Sequence, residues 1–225
     1  MNFSDQENLM ITRTGDGSNT LYSQRFGQHY HSLFGAVTES DHIFIRNGYH
    51  QVAARPIKIF EMGFGTGLNA ILTSIEAYHC QIPTFYKAID LFPIENKHLR
   101  FIHNNLATSD IVMKFLDKFS DLVLNNPLII HPWFEILVQK QDILEYNFTR
   151  EFDLVFYDAF SPEKQPELWT GQVFSKIYNT LSSQGLLLTY CSKGSVKQSL
   201  RQAGFRVQRL EGPPGKRHIV KAIKE

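Results

Sequence analysis

The sequence predicts an α/β protein built on a mostly parallel, seven-stranded sheet, and three observations carry that prediction. From Pro56 onward, short apolar runs alternate with helix-length segments. The first apolar run leads directly into glycines at alternate positions, Gly63, Gly65 and Gly67. The chain then closes with two strand-like runs around a Gly-Pro-Pro-Gly turn. Parallel neighbours need crossover connections, which the helix-length segments supply on both faces of the sheet.

Taken in order, residues 10–55 hold short β-type runs. Thr20–Ser23 follows the turn sequence GDGSN, and His42–Arg46 precedes Asn47-Gly48, so residues 1–55 read as a small N-terminal β extension ahead of a domain over 56–225. In that domain strands are expected over 57–61, 84–90, 134–139, 152–158 and 185–190. Helices are expected over 67–78, 94–105, 109–123, 166–182 and 194–203. FRVQRL, 205–210, and RHIVKAI, 217–223, are expected to pair as an antiparallel hairpin.

With 225 residues and 43% hydrophobic content, the chain has ample material for a core. No apolar stretch approaches the ~20 residues of a membrane helix. The N-terminus MNFSDQENLMITRTG lacks the build of a signal peptide, which implies a cytoplasmic protein with no membrane partner. Cys80 and Cys191 are isolated and read as reduced thiols. His29 and His31 are spaced to share a strand face without an evident third ligand, so no metal is expected. Neither a GxSxG nor a Cys/His pair suggests a covalent mechanism. Net charge is only +1, but residues 191–225 carry nine Lys or Arg against Glu211 and Glu225. That local surplus favours a polyanionic partner.

The segment IFEMGFGTGLN, 59–69, is the most informative. Leu68 holds the place of the third glycine of the dinucleotide fingerprint GxGxxG, and Gly67 comes one residue early. Glu61, two residues before the first glycine, suits a cationic ligand better than a pyrophosphate. In an open α/β sheet ligands sit at the carboxyl ends of the strands, and four acids fall there: Glu61, Asp90, Asp142 and Asp158. Any one of them alone can equally cap a helix or a loop.

S-adenosyl-L-methionine matches this set. Backbone amides of the Gly63–Asn69 loop, Thr66 included, and Glu61 would hold its amino-acid end, Asp90 its ribose hydroxyls and Asp142 its adenine amino group. NAD would also use Asp90, so the discrimination rests on Glu61 and the missing fingerprint. Asp158, in the bend DAFSP before Pro162, is the catalytic candidate, either accepting a proton from an amine acceptor or orienting it. Phe160, Trp169 and Tyr157 are candidates for stacking on a base or for the core. Lys193, Lys197, Arg201, Lys216 and Arg217 are candidates for phosphates.

A Rossmann-like sheet that closes with a hairpin is the usual plan of one class of S-adenosylmethionine-dependent methyltransferases. Within that class the chain resembles the methyltransferase domain of the MnmC family of tRNA wobble-uridine enzymes and its stand-alone relatives. The likeness lies in YHSLFGAVTES (30–40), EMGFGTGLN (61–69), IDLFPI (89–94), YDAFSPEKQPELWT (157–170) and GLLLTYCSKGSVKQSLRQAGFRVQ (185–208). The resemblance implies N-methylation of the 5-aminomethyl group of a tRNA wobble uridine, commonly 2-thiolated. It also implies cofactor contacts at Glu61, Gly63, Gly65, Gly67, Asp90 and Asp142, and an aminomethyl substrate supplied by separate upstream enzymes. Two positions depart from the family pattern: Gln165 precedes Pro166 where Asn is expected, and Asp90 stands where Glu is common. Two other readings remain open on sequence: a small-amine methyltransferase or aminopropyltransferase on the same fold, and a non-catalytic RNA-binding protein.

Overall fold

The computed structural model describes residues 10–95, 98–148 and 151–225. A three-stranded antiparallel sheet comes first: β1 Met10–Arg13, β2 Asn19–Ser23 and β3 Gln28–His29. Helix α1, Ala36–Ser40, follows and runs into a wider helical turn over Asp41–Arg46. His42–Arg46, expected as a strand, is therefore helical. Five residues are too few for apolar spacing to separate the two periods. Here Ile43, Phe44 and Ile45 are all buried, which a half-exposed strand would not allow.

The central sheet has eight strands in the order β10-β11-β9-β8-β4-β5-β7-β6. Its strands are β4 Ile57–Met62, β5 Thr84–Asp90, β6 Leu128–His131, β7 Phe134–Lys140, β8 Phe152–Tyr157, β9 Leu181–Thr189, β10 Arg206–Glu211 and β11 His218–Ile223. The five inner strands β9, β8, β4, β5 and β7 are mutually parallel, and β10–β11 is the expected antiparallel hairpin. The strand not foreseen is β6, which pairs antiparallel with β7 across an irregularity between Ile129 and His131. It is a four-residue edge strand set between Pro127 and Pro132, too short for a period to register.

The helices are α2 Leu68–Cys80, α3 Leu99–Ile102, α4 Asp110–Phe119, α5 Gly171–Thr180 and α6 Gly194–Gln202. The helix expected over 94–105 is broken into α3 and a 3₁₀ turn at Asn104–Leu106, with residues 96–97 outside the described range. The helix expected over 166–182 divides as well. Pro166–Trp169 forms a 3₁₀ turn, and Thr170 then caps α5 by accepting the Val173 N–H at 3.4 Å. Ser109 caps α4 in the same way. Among the described residues no helix is long and apolar enough to cross a membrane.

Strand alternation divides the core into two layers. Ile57 and Ile59 of β4, Leu154 and Phe156 of β8, and Leu186 and Leu188 of β9 join Ile43, Phe44, Ile71 and Phe119 on one face. Phe60, Val155, Tyr157 and Leu187 join Phe174, Ile177 and Leu200 on the other. Both faces are covered, as a parallel sheet requires, and each fully buried Ile, Leu or Phe contributes about 1.5–3 kcal/mol. At the middle of the sheet the carboxyl ends of β8, β4, β5 and β7 lie side by side.

Candidate active site

At those four strand ends the polar residues converge on one cavity. Its walls include Gly63, Gly65, Asp90, Asp142 and Asp158. Gly63 donates its N–H to Ile89 O at 3.0 Å, and Asp158 donates its own to Met62 O at 2.9 Å, which ties the ends of β4, β5 and β8 together. Gly63 has φ +89°, and a Cβ there would lie 2.7 Å from Asp158 O. Gly65 has φ +52°, and a Cβ would meet the Tyr30 ring at 2.9 Å. Only glycine fits either position.

Asp90 closes the loop. One carboxylate oxygen accepts from Gly65 N at 2.9 Å and the other from Phe92 N at 2.8 Å. Burial raises its pKa against the pull of those N–H groups. Asp142, two residues past β7, accepts from Leu144 N at 2.9 Å. Between the two acids the cavity wall is apolar: Leu91, Phe92, Ile143 and Leu144.

Asn69, in the first turn of α2, holds the other two acids apart. Its Nδ2 donates to Glu61 Oε1 at 2.9 Å and to Asp158 Oδ2 at 2.9 Å. Glu61 is only 1% exposed, and burial drives its pKa well up, opposed by Asn69 and reinforced by Asp158. The Tyr86 hydroxyl lies beside it without a hydrogen bond of good geometry, and Glu61 Oε2 has no partner. Asp158 is half-buried, and desolvation lifts its pKa to about 7 against Asn69, with Glu39 raising it and Lys216 lowering it. A carboxyl poised there exchanges a proton near neutrality.

Not every expected residue reaches the cavity. Glu61, Thr66 and Asn69 are buried and lie behind the lining, as does Gly67, whose φ of +73° starts α2. Thr66 instead offers its carbonyl to His103 Nε2 at 2.8 Å. Phe160 does line the cavity, stacked on Phe26 with centroids 4.3 Å apart. Trp169 is 5% exposed and braces that loop, donating Nε1–H to Phe160 O at 2.8 Å, and Tyr157 is core. Pro162 is half-buried in the same bend.

Of the expected phosphate ligands, Lys193 pairs with Glu163 at the surface, Lys197 is half-exposed on α6, and Arg217 is exposed on the hairpin turn. Lys216 is turned inward. It forms an ion pair with the nearly buried Glu39, and its Nζ lies 4.9 Å over the Tyr190 ring. Tyr190 lines the cavity and donates its hydroxyl to Ala159 O at 2.8 Å.

Sequence reasoning missed Phe26, Gln28, Tyr30, Glu39 and Tyr190. The first four belong to the N-terminal segment, which folds over the strand ends, and three of them line the cavity. The available signal was the YHSLFGAVTES stretch itself, which contains Tyr30 and Glu39.

The two glycines with positive φ and the Asp90–Asp142 rim fit S-adenosylmethionine. A family model described as S-adenosyl-L-methionine-dependent methyltransferase matches residues 133–225. The tRNA 5-methylaminomethyl-2-thiouridine biosynthesis bifunctional protein MnmC of Campylobacter fetus subsp. fetus (strain 82-40) is 27% identical over 229 residues, covering 96% of this chain and 36% of that protein. The crystal structure of MnmC2 from Aquifex aeolicus matches with a TM-score of 0.74 at 28% identity, over 97% of this chain and 71% of that one. By sequence and by fold, the chain is similar to MnmC. It spans about a third of the length of the curated relatives it matches, 36% of the Campylobacter MnmC and 33% of that of Burkholderia thailandensis. Spermidine synthase from Thermotoga maritima shares the fold alone, with a TM-score of 0.51 at 15% identity. The fold is that of S-adenosylmethionine-dependent methyltransferases, and S-adenosyl-L-methionine is the cofactor that goes with it.

Proposed function

We propose that this chain N-methylates the 5-aminomethyl group of a tRNA wobble uridine, commonly 2-thiolated, to give 5-methylaminomethyluridine, acting in the cytoplasm. The observation that carries the reading is Asp158, on the wall of a glycine-looped cavity, joined through one amide to Glu61 and held near pKa 7. The name of the Campylobacter relative, which specifies tRNA 5-methylaminomethyl-2-thiouridine biosynthesis, supports the acceptor.

When bound, S-adenosylmethionine supplies a methyl group activated by its sulfonium. Gly63 and Gly65 leave room for a ligand's close approach, and Asp90 and Asp142 would accept from its hydroxyl and amino groups. A primary amine attacks carbon only with its lone pair free, so a protonated acceptor must first lose a proton. Asp158 takes that proton at a carboxylate oxygen, with Asn69 Nδ2–H holding the same carboxyl in place. Tyr30, Phe160 and Tyr190 wall the acceptor side and exclude water. Lys193, Lys197 and Arg217 give the phosphate backbone a footing outside the cavity. The acceptor is the product of a preceding reaction that leaves a free aminomethyl group on the base.

Incubation with S-adenosylmethionine and tRNA bearing 5-aminomethyluridine should add one methyl group to that nucleoside, read by mass spectrometry. Folded protein that binds the cofactor yet leaves this tRNA unmodified, while methylating or aminopropylating a small amine, would move the acceptor from RNA to a metabolite. Absence of any cofactor-dependent thermal shift would leave a non-catalytic RNA binder.

A further inference from the structure

Toward the amino-terminal ends of the strands, away from the cavity rim, three potential metal ligands meet at the far end of α2. Glu76 and Cys80 are four residues apart on that helix and so share one of its faces. His50 reaches them from the short 3₁₀ turn Tyr49–Gln51. Glu76 Oε1 is the focus: His50 Nε2 lies 3.3 Å from it, and Cys80 Sγ donates to it at 3.2 Å. All three ligand atoms fall within 4.8 Å of one another.

We propose that His50, Glu76 and Cys80 form a binding site for a borderline-soft divalent cation of the zinc class. The spacing supports it. Zinc bonds of about 2.0–2.3 Å to nitrogen, oxygen and sulfur place tetrahedral ligand atoms roughly 3.3–3.6 Å apart. Two of the three edges in this cluster already come within a few tenths of an ångström of that range. The third closes by rotation of the Cys80 side chain, which is exposed. One imidazole, one carboxylate and one thiolate form a mixed donor set that suits zinc and disfavours calcium or magnesium, which take oxygen alone. His50 and Glu76 are 42% and 25% exposed at the side chain, so an ion has a path in and a water can complete the fourth position.

Binding costs one proton. Cys80 gives up the Sγ–H it now donates to Glu76, the proton goes to solvent, and the thiolate becomes the ligand. The consequence is structural: the ion would pin the C-terminal end of α2, whose N-terminal turn carries Asn69, to the segment entering β4. The sequence expectation of no metal arose from His29 and His31. It did not reach this cluster, because His50 and Glu76 are 26 positions apart in the chain.

The test uses the full chain, stripped with chelator and titrated with Zn²⁺ in competition with a chromophoric chelator at micromolar concentrations, then with Co²⁺ as a spectroscopic probe. One equivalent of Zn²⁺ should be retained, Co²⁺ should give a thiolate-to-metal charge-transfer band, and Zn²⁺ should raise Tm by several degrees. Cys80→Ser should abolish the band, and both Cys80→Ser and His50→Gln should weaken Zn²⁺ binding at least about tenfold. Circular dichroism checks that both variants are folded. Failure to retain Zn²⁺, or retention by wild type and Cys80→Ser alike, overturns the proposal. None of these readouts involves methyl transfer, so the outcome is independent of the proposed function.

Discussion

Asp158 and Glu61 share a single side-chain donor, the amide of Asn69, and both carboxyl groups are pushed upward by burial. If Asp158 handles a proton, Asp158→Asn should lower turnover roughly 10²-fold or more while cofactor affinity, read by calorimetry, stays near wild type. A variant that turns over normally would remove the proton-transfer role. The raised pKa also couples to stability. Folded Asp158 holds its proton up to about pH 7, against an ordinary value of 3.8, so its stabilising contribution is complete below the lower value and is lost as pH rises through the upper one. Asp158→Asn should therefore gain in Tm relative to wild type between pH 5 and pH 8, measured by thermal denaturation. A gap that shrinks with pH would contradict the assignment.

Elements, more than single side chains, decide how the N-terminal segment meets the site. Glu39 on α1 and Lys216 on the β10–β11 turn join two segments 177 residues apart, and their ion pair lies against Tyr190 on the cavity wall. Lys216→Met should cost about 2 kcal/mol, between an exposed and a fully buried pair, because Glu39 is left without its cation. The double change Glu39→Gln with Lys216→Met should recover much of the loss, and chemical denaturation of the four-member cycle would show it. Local chemistry sets where helices begin: Ser109 accepts the Val112 N–H at the start of α4. Ser109→Ala should cost about 1 kcal/mol with little effect on the cavity, again read by denaturation. The boundaries that sequence missed, at β6 and around Pro166–Trp169, are places where Pro and a short run leave no period to read.

Across the whole molecule, charge is segregated: the last 35 residues carry the positive surplus, and the remainder is net negative. A polyanion should bind at that end, and its affinity should fall steeply with salt, roughly 0.7–0.9 log units per log unit of salt for each phosphate neutralised. Replacing Lys197 and Arg217 together should reduce the slope by about one to two, measured by tRNA binding at several salt concentrations. A slope unchanged by the pair would take those two residues out of the RNA footing. Lys216 is not part of this expectation, since its ammonium already faces Glu39.

The glycines at 63, 65 and 67 and the acids at 61, 90, 142 and 158 were legible in the sequence. Strand ends and backbone-permissive turns are local features, written in consecutive residues. Apolar runs separated by helix-length segments were likewise enough for a mostly parallel sheet, because burial on both faces makes each inner strand apolar throughout, and the Gly-Pro-Pro-Gly turn between two strand-like runs was enough for the closing hairpin. Only the tertiary structure decided that Asn69 joins two of those acids, that Lys216 turns inward to Glu39, and that Phe26 and Tyr30 roof the cavity. Each of these joins segments far apart in the chain, and their meeting depends on how the N-terminal segment crosses the sheet, which no local pattern encodes.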